Sequence, residues 1–99
     1  MENKFGLKDS LLKQIIDLAK QHNVKRLVLF GSRARGDFKR KSDIDLAVLG
    51  ENISRFASDV DEMTDTLLKY DIVDLSYKLS DELLKNIENE GIILYEKIW

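Results

Sequence analysis

Two short motifs carry the residue types that phosphate and metal chemistry needs. Gly31-Ser32 is the first, and Asp43-Ile44-Asp45 follows after ten intervening residues. In a strand, residues i and i+2 share a face, so Asp43 and Asp45 project together, roughly 6–7 Å apart along the chain. A third carboxylate is available in Tyr70-Asp71-Ile72-Val73-Asp74. Carboxylates this close repel one another: at about 5 Å and an effective dielectric near 20, each pair costs on the order of 3 kcal/mol. A divalent cation offsets that cost, and an oxygen-only donor set suits Mg2+ or Mn2+. Two such ions bridged by the Asp pair would hold a triphosphate and an attacking hydroxyl in line. Gly31 lets main chain approach closely, and free N–H groups with the Ser32 hydroxyl suit phosphate oxygens. Neither motif is specific alone. Together at one spacing, each at a strand edge, they arise by chance in roughly one chain of this length in a thousand, taking background frequencies near 6–7% per residue.

Alternating helices and strands must position these groups. Leu11, Leu12, Ile15, Ile16, Leu18 and Ala19 recur at helical spacing to about His22, with Asp9 or Ser10 as the cap and Asn23 as the stop. Residues 25–30 read as a buried strand that ends at Gly31-Ser32, and residues 33–42 are polar and basic. Ile44 to Leu49 form a second strand, closed by Gly50. Ile53, Phe56, Val60, Met63, Leu67 and Leu68 predict one apolar helical stripe over 53–69, with Asp59, Asp61, Glu62 and Asp65 on the wet face. Residues 70–77 read as a third strand. Ser80 starts a last helix with Leu83, Leu84 and Ile87 facing the core, Gly91 caps it, and Ile92 to Tyr95 form a final strand. The pattern predicts an α/β domain over residues 1–99, with a mixed sheet of about four strands and helices mainly on one face.

Composition narrows the function classes. The chain has 99 residues, 43% hydrophobic and 34% charged, enough for one small core. Sixteen basic and 18 acidic residues leave a net charge of −2, which selects no polyanionic partner and speaks against nucleic acid as a direct one. With no cysteine and a single histidine, disulfides, thiol chemistry and two-histidine mechanisms are excluded. No apolar run approaches a membrane span, and Met-Glu-Asn-Lys lacks the layout of a signal peptide, so the expected setting is cytoplasmic.

Leu29-Phe30-Gly31-Ser32-Arg33-Ala34-Arg35-Gly36 followed by Ser42-Asp43-Ile44-Asp45-Leu46-Ala47-Val48 resembles the minimal nucleotidyltransferases of the polymerase-β-like superfamily. The resemblance covers nearly the whole chain, including the Asp71-Ile-Val-Asp-Leu-Ser stretch and Ile87 to Tyr95. It implies a polymerase-β-like fold and transfer of AMP from ATP to a hydroxyl with two metal ions, Mg2+ or Mn2+. It implies Gly31 and Ser32 as the nucleotide-binding turn, and Asp43 and Asp45 as metal ligands. Asp71 fits the family's count for the third, as ligand and acceptor of the nucleophile's proton. Strand parity argues partly for Asp74, if Val73, Leu75 and Tyr77 pack inward. The absence of any acceptor domain resembles the antitoxins paired with HEPN toxins, which implies a HEPN-type partner and a tyrosine target. The rival reading is a module that neutralises its partner by stoichiometric binding alone. A third is transfer to a small alcohol.

The remaining polar residues read more plainly. Arg33, Arg35, Lys39, Arg40 and Lys41 share one loop with a single acidic residue, Asp37. Arg33, nearest the turn, is the first choice to steady the triphosphate. His22 reads as a helix-end capping contact with no catalytic part. Phe56, Met63, Leu67 and Leu68 read as core, while Tyr95 and Trp99 are left between core packing and a partner contact. The residues set no oligomeric state, and self-association stays open.

Overall fold

In the computed structural model, which describes residues 3–97, the alternation follows the apolar spacing. Helix α1 spans Asp9–Gln21 and buries Leu11, Ile15, Leu18 and Ala19 on one stripe. It ends as expected, with Asn23 taking the left-handed conformation at φ 57°. Its start differs. Lys8 is the N-cap and makes no side-chain cap, and Asp9 already lies inside the first turn. There its carboxylate favours the positive end of the helix dipole instead of capping an N–H. The lead-in is organised by Asn3, whose Oδ1 accepts from the Phe5 and Leu7 N–H groups at 2.9 and 3.3 Å and helps seat both side chains in the core.

Strand β1 (Val24–Phe30) runs into helix α2 (Gly31–Arg35), then strand β2 (Ile44–Gly50), helix α3 (Ile53–Met63), strand β3 (Tyr70–Asp74), helix α4 (Asp81–Glu90) and strand β4 (Ile92–Glu96). The sheet order is β3-β2-β1-β4. β1 is antiparallel to both β2 and β4, whereas β2 and β3 are parallel, joined by the α3 crossover. Strand alternation divides the apolar residues between two faces. Leu27, Leu29, Ile44, Leu46 and Val48 pack with the α1 side chains and with Phe56 and Val60 of α3. Val28, Phe30 and Ala47 point the other way, against Ile87 of α4. Among the described residues, α4 alone covers that second face.

The long stripe expected over 53–69 is cut at Met63. Thr64 leaves the helix at φ −102°, ψ 151°, and its hydroxyl bonds back to the Val60 carbonyl while meeting the Tyr70 hydroxyl at 2.7 Å. Gln14 of α1 then holds Asp65 twice, accepting from its N–H at 3.0 Å and donating to its carboxylate at 2.9 Å. The chain must return here to the start of β3, because a strand parallel to β2 can only begin at the same end. Met63 is consequently 59% exposed and Leu67 fully exposed, while Phe56 and Val60 are completely buried.

β3 is shorter than the 70–77 expected, because Asp74 accepts from the Ser76 N–H and hydroxyl and turns the chain. Ser80 caps α4 as expected, accepting from the Leu83 N–H at 3.2 Å. Leu83 and Ile87 pack inward, but Leu84 stays exposed. Gly91 ends the helix with φ −66°, so its role is space: a Cβ there would meet the Ile87 carbonyl and come within 2.6 Å of Val28 Cγ1.

Candidate active site

Phe30, the last residue of β1, pairs across the ladder with Asp45 of β2. The chain then turns sharply at Gly31, whose φ is +74°. The place a Cβ would occupy on Gly31 is taken by the Asp45 carboxylate, Oδ2 foremost. Glycine is needed there twice over, for the left-handed backbone and for the close approach. The Gly-Ser turn and the Asp pair, ten residues apart in sequence, are thus in contact in space.

On the other side of Asp45, the parallel ladder places Asp71 directly in register with it. Neighbouring strands lie about 4.8 Å apart, so paired residues present their side chains together on one face. Asp43 precedes β2 by one residue and shares the parity of Asp45. Asp45 is partly buried, whereas Asp43 and Asp71 are exposed. Electrostatics reports the same gathering. Burial pushes the Asp45 carboxyl above its ordinary range, and the charges of Asp71 and Asp43 push it further, against the opposing pull of Arg35 and Arg33.

Asp74 does not join them. Tyr70 and Ile72 belong to the α1/α3 core, and Val73 and Leu75 to the α4 core, so β3 has apolar neighbours on both faces. The parity case for Asp74 assumed a single buried face. Asp74 has the parity of Ile72 and spends its Oδ1 on the Ser76 turn.

Arg33 is corrected. Its guanidinium is 1% exposed and points into the protein. Nε and Nη2 donate to the Ser42 carbonyl at 3.1 and 3.0 Å, and Nη1 donates to the carbonyls of Phe5 and Gly6 at 3.0 and 3.3 Å. Nη2 also reaches the Arg40 carbonyl at 3.3 Å, and the group stacks 5.0 Å from the Phe38 ring. A planar fork with several donors suits this cluster of carbonyls, which engages the guanidinium within the fold. Arg35, one of the five basic loop residues but not the first choice from sequence, is the arginine that acts most strongly on Asp45. It is exposed and held by Glu90 at 3.0 Å and Asp37 at 3.2 Å. Nothing in the sequence separates it from its four basic neighbours; the tertiary partner Glu90 does.

His22 ends α1 as expected, and its ring also meets Asp59 of α3 at 2.6 Å, stitching the two helices of the other face. Tyr95 packs partly against the α1/α3 core, with the Lys20 ammonium 5.8 Å from its ring. Trp99 lies outside the described residues. Among the described residues no helix is long and apolar enough to cross a membrane.

Residues 13–98 match the family described as polymerase beta, nucleotidyltransferase. The chain belongs to this nucleotidyltransferase family. It is 32% identical to the Methanocaldococcus jannaschii protein named "Putative protein adenylyltransferase MJ0604", over 88% of this chain and 97% of that one. It is also 32% identical to MJ0435 of the same organism and of the same name, over 91% of this chain and 80% of that one. Among solved structures, a chain of a toxin–antitoxin crystallised with AMP-PNP superimposes with a TM-score of 0.64 at 29% identity, covering 88% of this chain and 74% of that one. A minimal nucleotidyltransferase structure gives 0.66 at 26% identity, covering 84% of this chain and 88% of that one. The sheet and its helices are therefore those of a polymerase-β-like nucleotidyltransferase.

A divalent ion fits the nucleotidyltransferase's residues. Among the described residues no three carboxylate or imidazole groups already converge as a finished cage. The donors are nonetheless all carboxylate oxygens, their mutual repulsion at Asp45 is only partly offset by Arg35 and Arg33, and Gly31 makes room for the Asp45 carboxylate where a Cβ would stand. Gly31→Ala tests that space. The left-handed backbone alone costs a non-glycine residue about 1–2 kcal/mol, which calorimetry would read as a Tm lower by several degrees. Because the methyl collides with Asp45, catalysis measured well below that Tm should fall further than the lost stability explains. Unchanged turnover would separate the turn from the carboxylates.

Proposed function

We propose that this nucleotidyltransferase moves AMP from ATP onto a hydroxyl of a partner protein, a tyrosine of a HEPN-type toxin, and thereby serves as the antitoxin of the pair in the cytoplasm. The observation that carries the reading is the meeting of three separate segments at one carboxylate: Gly31 against Asp45, and Asp71 in register beside it. The relatives support it. Two are named as protein adenylyltransferases, and solved neighbours are chains of toxin–antitoxin complexes, one holding AMP-PNP.

Asp43, Asp45 and Asp71 would hold Mg2+, with Mn2+ as the substitute. The bound metal supplies positive charge that offsets the phosphates and the carboxylates alike. The Gly31-Ser32 turn binds phosphate oxygens through main-chain N–H groups and the Ser32 hydroxyl. Arg35, on the same side of Asp45, adds positive charge. Asp71 takes the proton of the attacking hydroxyl. The hydroxyl oxygen forms its bond to the α-phosphorus as the bond to the bridging oxygen breaks, and pyrophosphate leaves with that electron pair.

Isotope position tests this. With ATP labelled at the α-phosphate, the partner protein should acquire the label; with ATP labelled at the γ-phosphate, the label should leave in pyrophosphate. Label from the γ-position on the partner would mean kinase chemistry. A stable complex with no label from either would mean neutralisation by binding alone.

A further inference from the structure

Leu67 is a fully exposed leucine in a position where the sequence pattern demands core. It does not stand alone. With Leu68, Lys41, Lys69 and Asp43 it lines an open cavity of about 500 Å3. The segment is fixed to the sheet: the Ile44 N–H donates to the Lys69 carbonyl at 2.8 Å, and β3 with Asp71 begins at the next residue. An apolar shelf therefore sits against the carboxylate cluster, on its β3 side.

Which substrate belongs there follows from in-line geometry and rests on the proposed function. The phosphates lie by Gly31-Ser32, on the β1 side of Asp45. Pyrophosphate leaves toward that side, so the attacking hydroxyl must come from the opposite one. The opposite side is where the Leu67–Lys69 cavity opens. Its charge is also distinctive. Lys39, Arg40, Lys41 and Lys69 are all exposed, and none of them forms an ion pair among the described residues, although the chain as a whole carries −2. With Asp43 holding the metal of the proposed function, the lysines would remain local positive charge without an ion-pair partner.

We infer that this cavity docks the acceptor protein through a segment that carries an apolar or aromatic residue flanked by carboxylates, beside the hydroxyl to be modified. Leu67 and Leu68 receive the apolar side chain. Lys41 and Lys69 pair with the carboxylates, desolvated by the same contact.

The test uses two fluorescently labelled copolymers, poly(Glu,Tyr) and poly(Lys,Tyr), with anisotropy as the readout and a fluorescent ATP analogue as the control ligand. The wild-type chain should bind poly(Glu,Tyr) at least tenfold more tightly than poly(Lys,Tyr). The Leu67→Ser/Lys69→Glu double variant changes only exposed side chains, so circular dichroism should match wild type. It should lose that preference and bind poly(Glu,Tyr) at least tenfold more weakly, with affinity for the ATP analogue within twofold of wild type. No binding of either copolymer, equal binding of both, or a parallel loss of ATP affinity would each overturn the docking site. Transfer is read separately: a chain that shows the binding preference but moves no α-phosphate label contradicts the proposed function and leaves the docking site standing.

Discussion

Asp45→Asn should abolish nucleotidyl transfer while making the metal-free protein more stable. Both effects come from one fact: Asp45 carries a charge that its surroundings disfavour. Burial, Asp71 and Asp43 all raise its carboxyl above the ordinary range. A group whose folded pKa exceeds its unfolded value binds a proton more tightly when folded. Stability is therefore lost as pH rises from the ordinary carboxylate range, about 4, through the folded value, and the loss is complete above it. The asparagine variant is free of that loss. In EDTA its Tm should exceed wild type by a few degrees at neutral pH, and the gap should close as the pH falls toward 4. Mg2+ should reverse the order, raising the wild-type Tm by mass action and leaving the variant nearly unmoved. Transfer should fall by on the order of 10^2–10^3-fold or more. A variant that lost stability at neutral pH would show that Asp45 is held for the fold and not for the reaction.

Arg33→Met should do the opposite and damage the fold first. Removing the guanidinium leaves the carbonyls of Phe5, Gly6, Arg40 and Ser42 without that donor. Breaking such a buried charged network costs about 3–5 kcal/mol. For a domain of this size each kcal/mol moves Tm by about 4–8 °C, so a fall of well over 10 °C is expected. Arg33→Lys should recover little, since one ammonium cannot span carbonyls that a planar fork spans. The loss spreads to the site through Ser42, which precedes Asp43, and through the loop that Arg33 ties to the N-terminal segment. A variant with wild-type Tm and weakened ATP binding would restore the phosphate role expected from sequence.

The contrast between those two residues shows where sequence is informative. Asp43 and Asp45 are legible as a pair because period-2 alternation fixes their relative direction, and Gly31-Ser32 is legible as the turn that ends β1. Asp71 is reached through the family resemblance and not through parity, because β3 has apolar neighbours on both faces, and alternation cannot tell which apolar neighbour is inside. The inward placement of Arg33 escapes the sequence for a different reason. Its partners are main-chain carbonyls from four residues, two of them near the N-terminus, and carbonyls leave no trace in a sequence. The long apolar stripe over 53–69 failed on topology. Helical spacing persists through Leu67, but the need to restart β3 parallel to β2, with Gln14 gripping Asp65, ends the helix at Met63. The same failure placed Leu67 beside Asp43, where it lines the cavity proposed for the acceptor. The element order follows from the pattern almost unchanged, because most strands and helices are short and apolar on a regular period, with Asn23, Gly50, Ser80 and Gly91 marking ends.

We propose that this chain adenylylates its partner through the Asp cluster. The most direct measurement is the intact mass of the proposed HEPN-type partner, co-expressed and purified as a complex, then incubated with ATP and Mg2+. The expected result is a shift by the mass of one AMP, or a multiple of it, with wild type and none with Asp43→Asn, although both form the complex. An unshifted partner in a stable wild-type complex, or an equal shift with Asp43→Asn, would contradict it.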